Sequence, residues 1–232
     1  TVTVEIAMMH HAGLTDLDHT GYTPIGLYNA DPAAFHVRAD SEFDSIAAVL
    51  EAAKAAPGDM KSSGTGQGGI WHLAMAGLLV EGGLGADAVP WVPSKGSAAG
   101  LQDLVSGGVD IVSCSYPEAV SLISAGKVKA LAVMSEEPLA DVPDLPTVKA
   151  ETGIDLMVAT WRGVAGPKGL PEDVAAKLSA ALESAWNSDE FTAFMAERGF
   201  GKVWLDGPSY GQFMADADAA NGSVMEAAGL AK

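Results

Sequence analysis

Residues 62–73, Ser-Ser-Gly-Thr-Gly-Gln-Gly-Gly-Ile-Trp-His-Leu, set small hydroxyl side chains and glycines directly ahead of an apolar helical pattern, Ile70, Leu73, Gly77, Leu78. Glycine lets the backbone approach a ligand closely. The first N–H groups of a helix have no intrahelical partner, and the helix dipole is positive there, so such a loop can hold an anion. The device recurs as Ser94-Lys95-Gly96-Ser97, ahead of a helical pattern over 98–105. Amides and hydroxyls of Ser63, Gly64, Thr65 and Gly66, with Lys95, Gly96 and Ser97, are the candidate donors to a small acidic ligand. Lysine is electrostatically misplaced at a helix start, and an anion nearby would account for it.

Other chemistries compete for the same residues. Gly64–Gly69 also fits G-x-G-x-x-G, the dinucleotide fingerprint, but that fingerprint follows a buried apolar strand and is answered by an acid about 20 residues on. Here the preceding Gly58-Asp59-Met60-Lys61-Ser62 is polar, and Ser94 and Lys95 stand where the acid would be. A plain turn without a ligand is the third reading. Arg162, in the apolar run 156–164, must face solvent, a carboxylate partner or a ligand, so a structural salt bridge and an anion contact both stay open. Cys114 with His72 as base would make a nucleophile, but a buried cysteine acting as a small hydrophobe is the commoner case. Ser113-Cys114-Ser115 therefore reads as a polar lip of a cleft, and His72 as a packed histidine. His10 and His11 are adjacent, which in a strand points them to opposite faces and in a helix about 100° apart, so a shared metal is not expected. No carboxylate pair, metal-ligand spacing or triad stands out; neither an enzyme nor a cofactor is indicated.

The elements that must position these residues read as α/β. The 232 residues are 48% apolar and 19% charged, the balance of a globular chain. A formal charge of −17, with arginine only at 38, 162 and 198, argues against nucleic acid as partner. An acidic ligand would be repelled by that global field and must be held by local dipoles and placed cations. The single Cys114 allows no intrachain disulfide. Short β-prone runs at 1–7, 24–28 and 33–38 precede a helix over 46–55. The glycine-loop helix runs to about Val80, and strands at 89–92, 109–112 and 128–134 alternate with helices at 97–105 and 118–124. A proline-rich surface stretch, 136–146, leads to the β run 156–164, then helices from Pro171 and Phe191, a strand at 202–205 and a closing helix over 207–228. This alternation predicts mostly parallel sheets flanked by helices, with both glycine loops beyond the carboxyl ends of strands.

From Gly64 onward the chain resembles the substrate-binding proteins of tripartite tricarboxylate transporters, the Bug family. The stretches that carry it are SSGTGQGGIWHL, WVPSKGSAAGLQDLVSGGVDIV, AGKVKALAVMSEEPLADVPDLPTV and WRGVAGPKGLPEDV, in that order, and the closing EFTAFMAERGF is similar too. The resemblance implies a two-lobed, type II-like periplasmic-binding fold. One lobe would hold residues 1–37 and 159–232 and the other 38–158, with crossings at 33–38 and 156–164. It implies an extracytoplasmic receptor that closes on a small organic acid and delivers it to membrane subunits. Cys114 and Ser115 would line the wall, Trp161 would cover apolar ligand atoms, and Arg162 would pair with a second carboxylate. A dinucleotide-binding enzyme and a non-binding partner domain are the alternatives. Nothing in residues 1–30 matches the family's usual opening strand and glycine-rich loop, so part of one lobe and the signal peptide are expected to lie outside this sequence, and residues 1–232 alone to bind weakly or not at all. The aromatic residue usual beside Lys95 is Ser94, and the acidic or amide residues usual after the strand at 109–112 are Cys114 and Ser115; both changes bear on ligand choice.

Overall fold

A computed structural model describes residues 1–232. The chain forms two compact units: Thr1–Asp31 with Thr160–Glu226 and Leu230–Lys232, and Pro32–Ala159 with Ala227–Gly229. It passes from one to the other inside two long strands, β2 (Tyr22–Arg38) and β6 (Ala159–Pro167). The sequence suggested a break at Asp31-Pro32, yet β2 runs through it. The reason lies in its partners. Gly26, Leu27 and Asn29 pair with the first unit's β7 (Lys202–Asp206), whereas Ala33 onward pairs with strands of the second. Pro32, which has no N–H to give, stands between the two ladders.

In the first unit β1 (Val2–Thr3) pairs antiparallel with β6, Thr3 opposite Arg162. The strand expected over 1–7 stops there, because Val4–Ala7 is a 3-10 turn. Val4 and Ala7, three residues apart, are both buried. A turn of three residues places both on one face, and a strand cannot. Three helices complete the unit: α6 (Glu172–Trp186), α7 (Asp189–Arg198) and α8 (Gly207–Ala227). Helix α7 is capped by the Ser188 hydroxyl accepting from Phe191 N–H. Trp161, Tyr210, Ile25, Leu27, Met214 and Met225 are buried here, and the Trp161 ring meets Tyr210 and Phe213 edge-on.

In the second unit β4 (Ile111–Ser115) and β5 (Val128–Val133) flank β2, and β3 (Ser62–Ser63) lies outside β4. The α/β architecture stands, with one correction to the expectation of mostly parallel sheets. Strands β3 and β4 are parallel, and β4 and β5 both oppose β2, so the three share one direction. Because β2 is inserted between β4 and β5, the ladders through it are antiparallel. Helices α1 (Ile46–Ala55), α2 (Ile70–Glu81), α3 (Ser97–Ser106), α4 (Tyr116–Ser124) and α5 (Val148–Thr152) surround the sheet. Residues Ile70 to Leu79 of α2 are buried on every side, as expected of a helix apolar all round. The strand expected over 89–92 reduces to one bridge, Trp91 beside Ser62, since Pro90 cannot donate to a ladder.

Candidate functional site

Both glycine loops belong to the second unit and are joined through backbone. Ser94 N–H and the Trp91 indole N–H both donate to Thr65 O, at 3.0 and 3.2 Å. Gly64 is needed for packing: a Cβ there would lie 2.2 Å from Ser113 O. Gly100 of α3 sits against the Ser63–Gly64 backbone, where its own Cβ would come 3.1 Å from Gly64 N. Gly64 also meets Trp71 of α2, whose Cβ would lie 3.0 Å from a Cβ on this glycine, so the first turns of both helices pack on it. Neither start carries a side-chain cap or an acidic residue in its first turn; the N-cap residues are Gly69 and Gly96. Gly96 has φ of 130°, which an L side chain rarely adopts, so α3 must begin on glycine. By contrast α1, α5 and α7 are capped by Ser45, Thr147 and Ser188, and α4 carries a capping box. The first amides of α2 and α3 thus have no side-chain cap to accept from them.

His72 fixes the first loop. Its Nδ1 accepts from Gly68 N–H at 3.0 Å, and its ring stacks on Trp91. Burial lowers its pKa to about 4, so it is neutral at pH 7, with the proton on Nε2. Gly66 has nothing within 4 Å of the place a Cβ would occupy. Lys95 is exposed and takes no part in the ion pairs of its unit, Arg38–Asp40, Lys129–Asp44 and Lys149–Asp155.

Several predicted site residues are engaged otherwise. The Ser63 hydroxyl donates to Val92 O at 2.7 Å, which together with the packing of Gly64 makes this pair the support of the loop. Ser115 is spent at the start of α4, its N–H and hydroxyl both donating to Glu118 Oε2 at 3.0 Å. Cys114 is fully buried with its sulfur 3.5 Å from His36 Nδ1, so it is no cleft wall. Burial raises its thiol pKa well above the ordinary value, which removes it as a nucleophile too. Trp161, 1% exposed, serves the core of the first unit. Arg162, in that same unit, donates from Nη1 to Asn29 Oδ1 and, at 3.2 Å, to Asp31 Oδ2. The Asp31 carboxylate is 3% exposed, and its other oxygen accepts from Gly201 N–H at 2.6 Å. The guanidinium therefore neutralises a buried acid, the structural salt bridge that was one of the two readings of Arg162.

The family model of the tripartite tricarboxylate transporter family receptor matches residues 6–230. The chain belongs to this family. A relative, the UPF0065 protein of the tcbD-tcbE intergenic region of Pseudomonas sp. strain P51, is 34% identical over 165 residues, 71% of this chain and 48% of that protein. The receptor chain spans about half the length of the curated relatives it matches. Among solved structures, a TctC solute-binding protein from Polaromonas superposes with a TM-score of 0.86 at 31% identity, over 97% of this chain and 76% of that one. Rpa4515 of R. palustris, solved with adipate, superposes at 0.81 with 24% identity, over 99% and 77%. The family and these neighbours are solute-binding receptors with the periplasmic-binding fold, not enzymes, so the dinucleotide reading of Gly64–Gly69 falls.

Two features of the receptor escaped the sequence. Arg38, Asp40, Glu42, Phe43, Gly107 and Asp110 line a cavity of about 330 Å³ in the second unit, at the end of β3 and β4 away from the glycine loops. His10 and His11, not expected to share a partner, both turn their Nε2 atoms to Asp218, because they lie in a turn and not in a strand or helix. His19 joins them. Asp218 is more than 200 residues away in sequence, so no spacing rule could have found the group.

Proposed function

We propose that the protein is a periplasmic receptor that binds a small organic carboxylate and delivers it to the membrane subunits of a tripartite tricarboxylate transporter. Its two compact units correspond to the two lobes of such a receptor. The observation that carries the reading is the pair of adjoining helix starts, α2 and α3, without side-chain caps or acids, in a chain of this family. The donors are the amides of Thr65, Gly66, Gly96 and Ser97, the Thr65 and Ser97 hydroxyls, and Lys95. A chain with net charge −17 attracts an anion only where such local fields prevail. The adipate in the R. palustris neighbour makes a dicarboxylate the first ligand to try.

Calorimetric titration of the protein with mono-, di- and tricarboxylates, adipate first, tests the reading. We expect one acid bound per chain and at least tenfold weaker binding by Lys95→Ala. Binding of none of these acids would contradict it. For the transport step, deleting the gene should abolish uptake of the bound acid; unchanged uptake would remove the delivery role.

A further inference from the structure

We propose that His10, His11 and Asp218 form a site for one divalent transition-metal ion, zinc by preference, which clips the turn that holds the two histidines to α8. The site lies wholly within the first unit and does not depend on carboxylate binding. His10 Nε2 and His11 Nε2 stand 3.0 and 3.4 Å from Asp218 Oδ1, and His19 Nδ1 stands 3.5 Å from Asp218 Oδ2. The ligand atoms of His10, His11 and Asp218 all lie within 4.8 Å of one another. Around a tetrahedral zinc, nitrogen and oxygen atoms at about 2.0–2.1 Å from the metal are about 3.3 Å apart, close to the two nitrogen–oxygen spacings found here.

Hydrogen bonding leaves this cluster partly unsatisfied. His11 Nε2 lies 3.2 Å from the backbone O of Asp218, a hydrogen bond that ligation would replace, but Asp218 Oδ1 is buried without a hydrogen-bond partner although two imidazole nitrogens flank it. A cation held by the two imidazoles would satisfy that oxygen. Nδ1 of His10, also unpartnered, carries the proton in the tautomer that frees Nε2 to ligate. A donor set of two imidazoles and one carboxylate suits zinc, copper or nickel and disfavours calcium and magnesium, which prefer oxygen.

The surrounding structure holds these groups in place. His11 lies over Gly222, one helical turn beyond Asp218, where a Cβ would come 2.6 Å from the imidazole Cε1. Lys232 N–H donates to His11 O at 2.9 Å, so the turn is tied to the end of the chain. Asp18, whose carboxylate accepts from the Thr20 N–H and hydroxyl, lies close enough to His10 and His19 to feel their charge and supplies a second negative group. The three ligand side chains are 16–24% exposed, enough for an ion to enter. Held by three side chains, the ion would close a loop of about 200 residues.

Titration of EDTA-stripped protein with zinc chloride tests this. We expect one ion per chain, a zinc-dependent rise in Tm, and with cobalt chloride the strong visible absorption of a four-coordinate ion. Asp218→Asn, which keeps the side chain's shape, and His10→Gln should each weaken zinc binding at least a hundredfold and abolish the Tm shift, with an unchanged circular dichroism spectrum. Absence of zinc binding by the wild-type chain would overturn the proposal. So would zinc binding that survives in both variants, because the ion would then sit elsewhere.

Discussion

The helix starts of the second unit and the Arg162 network of the first use polar groups in opposite ways. At α2 and α3 the backbone donors are left without a side-chain cap or an acid in the first turn, while Gly64, Gly100 and His72 pack to hold the loops in place. At Arg162 a charge that reads in sequence as a ligand contact is matched by Asn29 and by a buried carboxylate of its own unit. The contrast shows where to look for a ligand. A conspicuous charge in a strand is usually answered by the fold, whereas a run of unanswered amides is a place where the fold has left something for another molecule.

Substitutions separate the supporting residues from the contacting ones. The largest effect is expected at Gly64, where a methyl group would meet a backbone oxygen that cannot move aside. Gly64→Ala should cost about 3 kcal/mol of stability in denaturant unfolding, and a loss under 1 kcal/mol would show that the loops are not packed as described. Next comes Arg162→Ala, which strands the Asp31 carboxylate. Because the guanidinium is partly exposed, a loss of about 1–3 kcal/mol is expected, with carboxylate affinity nearly unchanged. Affinity lost with an intact Tm would reverse the comparison and make Arg162 a ligand residue.

A smaller effect is expected from acid. His36 and His72 are held neutral by burial, each lowered from 6.5 to about 4. The unfolded chain takes up these protons below pH 6.5 and the folded chain only near 4, so stability falls as pH drops through that window and levels off below it. Once protonated, His72 can no longer accept from Gly68 N–H, so the glycine loop loosens there. His72→Gln should flatten the pH dependence of unfolding between 6.5 and 4; an unchanged slope would remove His72 from the account.

Much of this was legible in the sequence because it was local. Glycines running into an apolar period marked α2, and Ser94–Ser97 marked α3, each within a residue or so of its observed start. What was lost depended on distant partners. Cys114 and Ser113 follow one another in a strand, but only β2 lying across β4 buries the thiol against His36. The run 1–7 has β-prone residues, yet burial of Val4 together with Ala7 winds it into a turn. Pro32 is a breaker by its own chemistry and harmless where a strand changes partners. Arg162 could not be assigned because Asp31 lies 131 residues before it.

The smallest expected effect on stability is at Gly66, and it gives the most direct test of the central claim that the amides at the starts of α2 and α3 hold the ligand. Open space surrounds the position a Cβ would take, so Gly66→Val should leave the unfolding midpoint within about 1 kcal/mol of wild type. A branched side chain there should hinder a ligand's approach to the amides of its own loop. Calorimetric titration of wild type and Gly66→Val with the best-bound carboxylate should show binding abolished in the variant with its fold intact. Equal affinity in the two proteins would contradict the account.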